Sequence, residues 1–294
     1  MDTPIVSITS AFYNVGPVLL DMVRSVFAQT FKNWELVLLD DGSTDESLQI
    51  AKSINDSRVR VFTNVRNLGI AKSLNKLTNL AVGKYIARHD ADDMSAMDRI
   101  RRQFDFLESH PDVDVVGCDV VFLDENDNPL GRSLLGVSHA EICREPNRYY
   151  GIAHPTIFAR RSWFVKNCYD ERVQKSEDYS LFLKAYRTSK YANIPDPLFY
   201  YRLGYSFNLK KQLVFRRSHI KVVFDHHMRQ RHYGNAFLYS MYQCMKFAAE
   251  VAYCALGAKD RLLARRYQQI TSDEKKSYLQ EIKRIKNTDI PVRL

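Results

Sequence analysis

Along the first third of the chain, short and almost wholly apolar runs alternate with longer stretches whose apolar residues recur at helical spacing. Residues 5–10, 34–39 and 59–63 read as buried strands, and a fourth starts at Lys84 and runs into Asp90-Ala91-Asp92-Asp93. Between them, residues 18–29 place Leu19, Val23, Val26 and Phe27 on one helical face. A second helix runs to about Ser53, and a third runs from Asn67-Leu68-Gly69 to about Ala81. Pro17 suits the first position of a helix. Gly42 makes the turn in Asp40-Asp41-Gly42-Ser43-Thr44-Asp45, with Ser43 or Thr44 placed to cap the helix that follows. Strands that are apolar throughout, rather than alternating, predict a parallel sheet covered by helices on both faces, hence an α/β domain.

The pattern continues more irregularly. Residues 97–110 read as an amphipathic, basic helix carrying Arg99, Arg101 and Arg102. Residues 113–123 form a strand that ends in an acidic turn at 124–129. Residues 150–159 look strand-like and carry His154. Residues 175–186 form a helix opening on Ser176-Glu177-Asp178, and 191–194 and 198–202 are short strands around Pro195 and Pro197. From Ser206 the chain turns aromatic, basic and helical, so residues 1–205 are expected as one α/β domain and 206–294 as a helical extension.

Charge sharpens that division. Residues 1–204 carry 25 Lys/Arg against 27 Asp/Glu, and residues 205–294 carry 18 against 7, so the whole net charge of +9 comes from the extension. A nucleic-acid motif is missing, which excludes nucleic acid as partner. The extension is expected either to pack on the domain with a solvated basic face or to make peripheral contact with an anionic membrane. The five cysteines form no C-x-x-C pair, which suits a reducing compartment. Neither a signal peptide nor an apolar run of membrane-spanning length is visible, so the expected location is cytoplasmic, at the inner face of the membrane.

In parallel sheets ligands sit at the carboxyl ends of the strands. Tyr13-Asn14, Asp40-Asp41, Asn67 and the Asp90–Asp93 cluster all fall there. Asp90 and Asp92 project to one side of an extended backbone, and such like charges call for a cation. Gly-x-Gly-x-x-Gly and phosphate-cradling Gly-x-x-x-x-Gly-Lys signatures are missing, so any nucleotide phosphate would be held through metal, Mn²⁺ or Mg²⁺. Arg88 and His89 read as strand residues with no chemistry of their own.

The ordered set Ser10-Ala11-Phe12-Tyr13-Asn14, Ser25-Val26-Phe27-Ala28-Gln29-Thr30, Asp40-Asp41-Gly42-Ser43-Thr44-Asp45, Asn67-Leu68-Gly69 and Asp90-Ala91-Asp92-Asp93 resembles the family 2 glycosyltransferases. The resemblance covers about residues 5–202. The wording of residues 84–93 is similar to bacterial members that build lipopolysaccharide, O-antigen or capsule. It implies a GT-A fold, an inverting mechanism, a nucleotide-sugar donor, a divalent cation and a saccharide or lipid-linked saccharide acceptor. Carried over, it implies Tyr13 against a uracil-type base, Asp41 accepting from the ring N–H, Asp90 on the ribose or sugar, and Asp92 on the metal. Glu177-Asp178 matches the family's acidic pair, with Asp178 as the base. His154 stands where members often place a polar group near the acceptor and diphosphate, and Asp93 is left as a cap for the following segment. Two departures stand out: Ala11-Phe12 replaces Pro-Thr, and Tyr201-Arg202-Leu203-Gly204 lacks the histidine of Tyr-Arg-x-His. Gln-x-x-Arg-Trp is absent too, which favours addition of a single sugar. The alternative is a non-catalytic partner with this fold in a polysaccharide-assembly complex.

Overall fold

The computed structural model describes residues 3–203, 209–255 and 267–293. The expected boundary near Tyr205 and the basic run at 261–266 lie outside the described residues. The chain runs β1 (Val6–Phe12), α1 (Val18–Phe27), β2 (Trp34–Asp40), α2 (Ser47–Ser53), β3 (Val59–Thr63), α3 (Ile70–Leu80) and β4 (Tyr85–Arg88). It continues through β5 (Met94–Ser95), α4 (Arg99–Ser109), β6 (Val115–Leu123), β7 (Pro129–Arg132), α5 (His139–Ile142), β8 (Phe158–Arg160) and α6 (Arg161–Lys166). Then come α7 (Glu177–Ala185), β9 (Tyr191–Arg202), α8 (Leu209–Arg229), α9 (Tyr233–Ala255) and α10 (Ser272–Lys286).

The strands form one nine-stranded sheet in the order β3-β2-β1-β4-β8-β6-β9-β5, with β7 on β6. The β3-β2-β1-β4 half is parallel, as its apolar strands predict. Beyond β4 the sheet is mixed: β8 runs antiparallel to β4 and β6, while β6 and β9 are parallel. Alternation along β2 supplies both faces of the core. Trp34, Leu36 and Leu38 join α1, α4 and α10 on one side; Val37 and Leu39 join α3, α6 and α7 on the other.

Residues 150–159 depart from the expected strand. His154–Thr156 is a 3₁₀ turn, and only Phe158–Arg160 pairs in the sheet. Pro155 has no N–H to give to a ladder, and the turn is closed instead by Thr156 N–H donating to the Ala153 carbonyl at 2.9 Å. The segment after 205 also divides in its packing. α8 and α9 place Val222, Val223 and Tyr239 on the α7 side of the core, whereas α10 buries Ile282 and Ile285 against α1 across the sheet.

The Ser25–Thr30 run proves to be a clasp on the chain that leaves the acidic cluster. Gln29, fully buried, donates from Nε2 to the carbonyls of Ser25 (2.9 Å) and Ala96 (2.8 Å), and its Oε1 accepts from Ile100 N–H at 3.0 Å. Ser25 Oγ accepts from Ser95 N–H at 3.1 Å, and Thr30 N–H donates to the Met97 carbonyl at 2.9 Å. Gln29→Leu should strand buried backbone groups at Ala96 and Ile100, so urea unfolding should show a loss of roughly 2–4 kcal/mol.

Candidate active site

The loops after β1 and β2 are laced together. Asn14 lies at φ 50°, its Oδ1 accepts from Thr44 N–H at 2.8 Å, and its own N–H donates to Ser43 Oγ at 3.0 Å. Ser43 and Thr44 are therefore spent on Asn14 and do not cap α2; Asp45 Oδ1 accepts from Ser47 N–H (3.0 Å) at that helix start. Gly42 sits at φ 80° with any Cβ 2.7 Å from the Arg66 carbonyl carbon, so a side chain is barred twice over.

Asp41, 5% exposed, is held from three directions. Its Oδ1 accepts from Asn64 Nδ2 (2.8 Å) and Leu68 N–H (3.0 Å), and its Oδ2 accepts from Gly69 N–H at 3.0 Å. With two lone pairs on each oxygen, Oδ2 retains capacity for one further donor. Asp41, half-exposed Tyr13, Asn67, Lys72, Gln174 and Lys175 line a cleft of about 500 Å³. Lys175 lies two residues ahead of Glu177, so the cleft reaches the start of α7.

At the end of β4 the carboxylates are organised around a cation. Arg88, 4% exposed, donates from Nη2 to Asp90 Oδ1, while its Nε and Nη1 are buried without a hydrogen-bond partner. Burial opposes its charge, but the Asp90 carboxylate overrides this and holds the guanidinium more firmly protonated than usual. Asp92 reaches solvent, yet the protein around it and then the Asp90 charge raise its carboxyl above the usual range. Asp93 is buried and pushed well up, first by burial and then by Asp92 and Asp90. It does not cap the next segment: its Oδ1 accepts from Arg202 N–H at 2.8 Å, and its Oδ2 has no partner.

Glu177 and Asp178 open α7 as expected, at the end where the helix dipole favours negative charge. Both are raised, Glu177 by burial and then by Asp178, and Asp178 by burial; both feel the lowering charge of Arg88 and the raising charge of Asp90. Glu177 Oε2 is buried and unpartnered. His154, 8% exposed, shares a 2.8 Å hydrogen bond between Nε2 and the Tyr169 hydroxyl; burial, and then Arg88, holds its pKa well down and keeps the ring neutral. Tyr169 in turn feels Arg88, Glu177, Asp178 and Asp90. The structure thus pairs Asp90 with Arg88, leaves Asp92, Glu177, Asp178 and His154 within the field of that guanidinium, and sets Tyr13 and Asp41 in the cleft that reaches the start of α7. Arg88 is the member that sequence reasoning passed over. Its one signal was a full charge at the end of an otherwise apolar strand. Arg99, expected on a basic helical surface, is instead fully buried and donates to the Arg88 (2.8 Å) and Pro155 (3.0 Å) carbonyls, bracing both segments from behind; burial pushes its pKa down to about 10.

Arg202 closes the acidic loop where the family pattern has its Tyr-Arg-x-His. Its Nη1 donates to the Asp92 carbonyl (2.9 Å), its Nε to Asp127 Oδ1 (2.6 Å) and its Nη2 to Asp21 Oδ2 (2.7 Å). Lys286 from α10 reaches the same Asp127.

Residues 7–167 match the family model for glycosyl transferase family 2. An uncharacterized glycosyltransferase of Methanocaldococcus jannaschii is 30% identical over 257 residues, 82% of this chain and 88% of that one. A chondroitin synthase of Escherichia coli is 27% identical over 84% of this chain, which spans 36% of that protein. Among solved structures, Staphylococcus aureus TarS 1-349 in complex with UDP-GlcNAc superimposes with a TM-score of 0.65 at 17% identity, covering 95% of this chain and 80% of that one. The mannosyltransferase PcManGT of Pyrobaculum calidifontis, in complex with GDP-Man and Mn²⁺, does so with 0.58 at 15% identity, covering 97% and 86%. The fold is thus the GT-A fold, and the chain belongs to glycosyltransferase family 2. It is a glycosyltransferase enzyme.

The Arg202 clasp makes stability acid-sensitive. Burial raises the Asp127 carboxyl, but hydrogen bonds from Arg202 and Lys286 win and leave it below the ordinary 3.8. A lowered native value stabilises the fold above the unfolded value and loses that contribution as pH falls below about 4. Arg202→Met should cost about 3 kcal/mol in urea unfolding at neutral pH by stranding buried carboxylates, and should flatten the decline between pH 4 and pH 2.

Proposed function

We propose that this enzyme is an inverting, divalent-cation-dependent, non-processive glycosyltransferase. It would move one sugar from a nucleoside diphosphate, UDP in preference, to a hydroxyl of a saccharide or lipid-linked saccharide during assembly of a bacterial surface polysaccharide. The observation that carries the reading is the buried Arg88–Asp90 pair at the end of β4, with Asp92 and the Glu177–Asp178 start of α7 in its field, beside a cleft walled by Tyr13 and Asp41. UDP-GlcNAc and GDP-Man in the TarS and PcManGT structures support a nucleotide-sugar donor, and the chondroitin synthase supports a saccharide acceptor.

Within this reading Tyr13 lies against the base, and Asp41 takes the ring N–H on the free lone pair of Oδ2. Asp90, oriented by Arg88, holds the ribose or sugar. The exposed Asp92 carboxylate is a hard oxygen ligand that fits Mn²⁺ or Mg²⁺. Among the described residues no three His, Cys, Asp or Glu side chains converge to hold a metal alone, so phosphate and water oxygens would complete the shell around Asp92. A bound cation would supply neutralisation of the diphosphate leaving group. Asp178, made more basic by burial, accepts the proton of the attacking hydroxyl, and His154 is held through Tyr169.

We read residues 1–205 as the catalytic unit, with the rest as an appendage that braces it through α10 and faces a membrane through α8 and α9. Phe237, Leu238, Met241 and Met245 of α9 are exposed, and Arg217, Lys221 and Arg229 of α8 make no ion pair among the described residues. Among the described residues no helix is long and apolar enough to cross a membrane, which suits peripheral contact at the cytoplasmic face.

With Mn²⁺ and a panel of sugar nucleotides, donor-dependent release of nucleoside diphosphate should vanish in Asp92→Ala. In Asp178→Asn it should fall about 10²–10⁴-fold, with thermal stabilisation by donor retained. Wild-type turnover in both variants would overturn the assignment.

A further inference from the structure

Beside the cleft at Asp41 runs a second, larger recess, between α7, the segment that leads into it and α8. Its volume is about 1070 Å³, against about 500 Å³ for that cleft. Val173 and Gln174 line both, so one stretch of chain is the wall between them. That wall is tied to α8, because Ser218 Oγ donates to the Gln174 carbonyl. The recess also reaches Ser180 of α7, two residues past Asp178 and so about 3 Å further along the helix axis. Its lining is strongly one-signed. Arg217, Lys221, Asp225 and Arg229 recur at every fourth residue of α8 and so share a face, and Arg172, Lys184 and Arg187 stand around the same recess.

Against these six cations stand two carboxylates, Asp225 and Asp170, and Asp170 is taken by Arg172 at 2.7 Å. Lys184 and Arg187 donate to neutral oxygens, the Cys168 carbonyl (3.2 Å) and the Tyr186 hydroxyl (2.9 Å). Arg217, Lys221 and Arg229 have no ion pair among the described residues, whereas exposed Lys84, Arg102 and Lys190 elsewhere are matched by Glu108, Asp196 and Asp112. Like charges facing one recess repel, and an anion that bridges them is drawn in; arginine forks suit phosphate oxygens best. The same lining is apolar in part: Leu181, Leu183 and Val222 are buried, and Val214 and Phe224 are exposed. A ligand with phosphates and an apolar chain answers both. We propose that this recess is an acceptor subsite, holding the lipid-diphosphate end of a lipid-linked saccharide whose sugar end passes Gln174 toward the start of α7. This deepens the reading of the acceptor as lipid-linked and rests on it, and it gives the free cations of α8 a ligand to hold as well as a bilayer to face.

The probes are farnesyl diphosphate, inorganic diphosphate and farnesol, titrated calorimetrically into the full chain in metal-free buffer, with melting temperature recorded for each variant. Farnesyl diphosphate should bind, and the other two, each lacking one half of the ligand, should bind at least fivefold more weakly. Arg217→Gln with Lys221→Gln should weaken farnesyl diphosphate binding tenfold or more. Lys72→Gln with Lys175→Gln, which removes equal charge from the neighbouring cleft, should leave it within twofold. Failure of farnesyl diphosphate to bind, equal affinity for either half, an unchanged affinity in the folded α8 variant or an equal loss in the cleft variant each overturns the proposal. Should the α8 variant not fold, a threefold loss in Lys221→Gln supports it and an unchanged affinity overturns it. Binding to phosphatidylglycerol vesicles that needs Arg217 and Lys221, with none to farnesyl diphosphate, overturns it in favour of a bilayer contact alone. Donor-dependent release of nucleoside diphosphate separates the claims. Release by a wild-type protein that does not bind farnesyl diphosphate sinks only the recess, and binding without release from any sugar nucleotide sinks the reading of the transferase site.

Discussion

The site rests on one buried ion pair, Arg88 with Asp90 at the end of β4. Asp92 and Asp93 follow it in the chain, and Glu177 and Asp178 at the start of α7 feel both of its charges. Like charges in a poorly solvated space repel, so such a group persists only where the backbone is over-determined. Everything around it serves that end: Gln29 and Ser25 grip the outgoing chain, Arg99 grips β4 and the 154–156 turn, and Arg202 grips the loop from the far side. The residual repulsion is of the kind that a divalent cation would relieve.

The division of labour across the sheet follows from strand direction. The parallel half delivers Tyr13, Asp41 and Asp90 to one edge because β1, β2 and β4 all end there. The second half runs mixed, and it brings the 154–156 turn, the start of α7 and Arg202 to the same edge from separate parts of the chain. One wall of the cleft thus comes from the parallel half, and its other wall, at Gln174 and Lys175, from the chain leading into α7.

That difference also explains what the sequence disclosed. The parallel half was legible, since residues 5–10, 34–39 and 59–63 are buried runs bounded by turn residues. Asp41, Asp90 and Asp92 stood out as polar groups at strand ends, and Asp178 through the resemblance of Glu177-Asp178 to the family's acidic pair. Arg88 did not, because a charge inside a strand gives no sign of whether it is solvated or buried. Arg99 was hidden for the same reason, its neighbours Arg101 and Arg102 suggesting a wet surface that only the sheet contact contradicts. The 150–159 run was misread because an apolar stretch has no marker for a 3₁₀ turn except Pro155. α10 is polar overall, and among its residues only Ile282 and Ile285 are buried.

The position of α10 has a consequence for how the molecule comes into being. Glu281 accepts from Met97 N–H at 2.8 Å and from the Tyr200 hydroxyl at 2.6 Å, and Lys286 shares Asp127 with Arg202. The backbone just after the acidic loop is thus braced by residues made about 180 positions later. During synthesis the β1–β4 sheet can form early, and at about 5–20 residues per second α10 follows only some ten to forty seconds later. For that interval a nascent chain already has the Tyr13–Asp41 wall of its cleft but not the brace behind its carboxylates, so the two sides of the site are completed at different times.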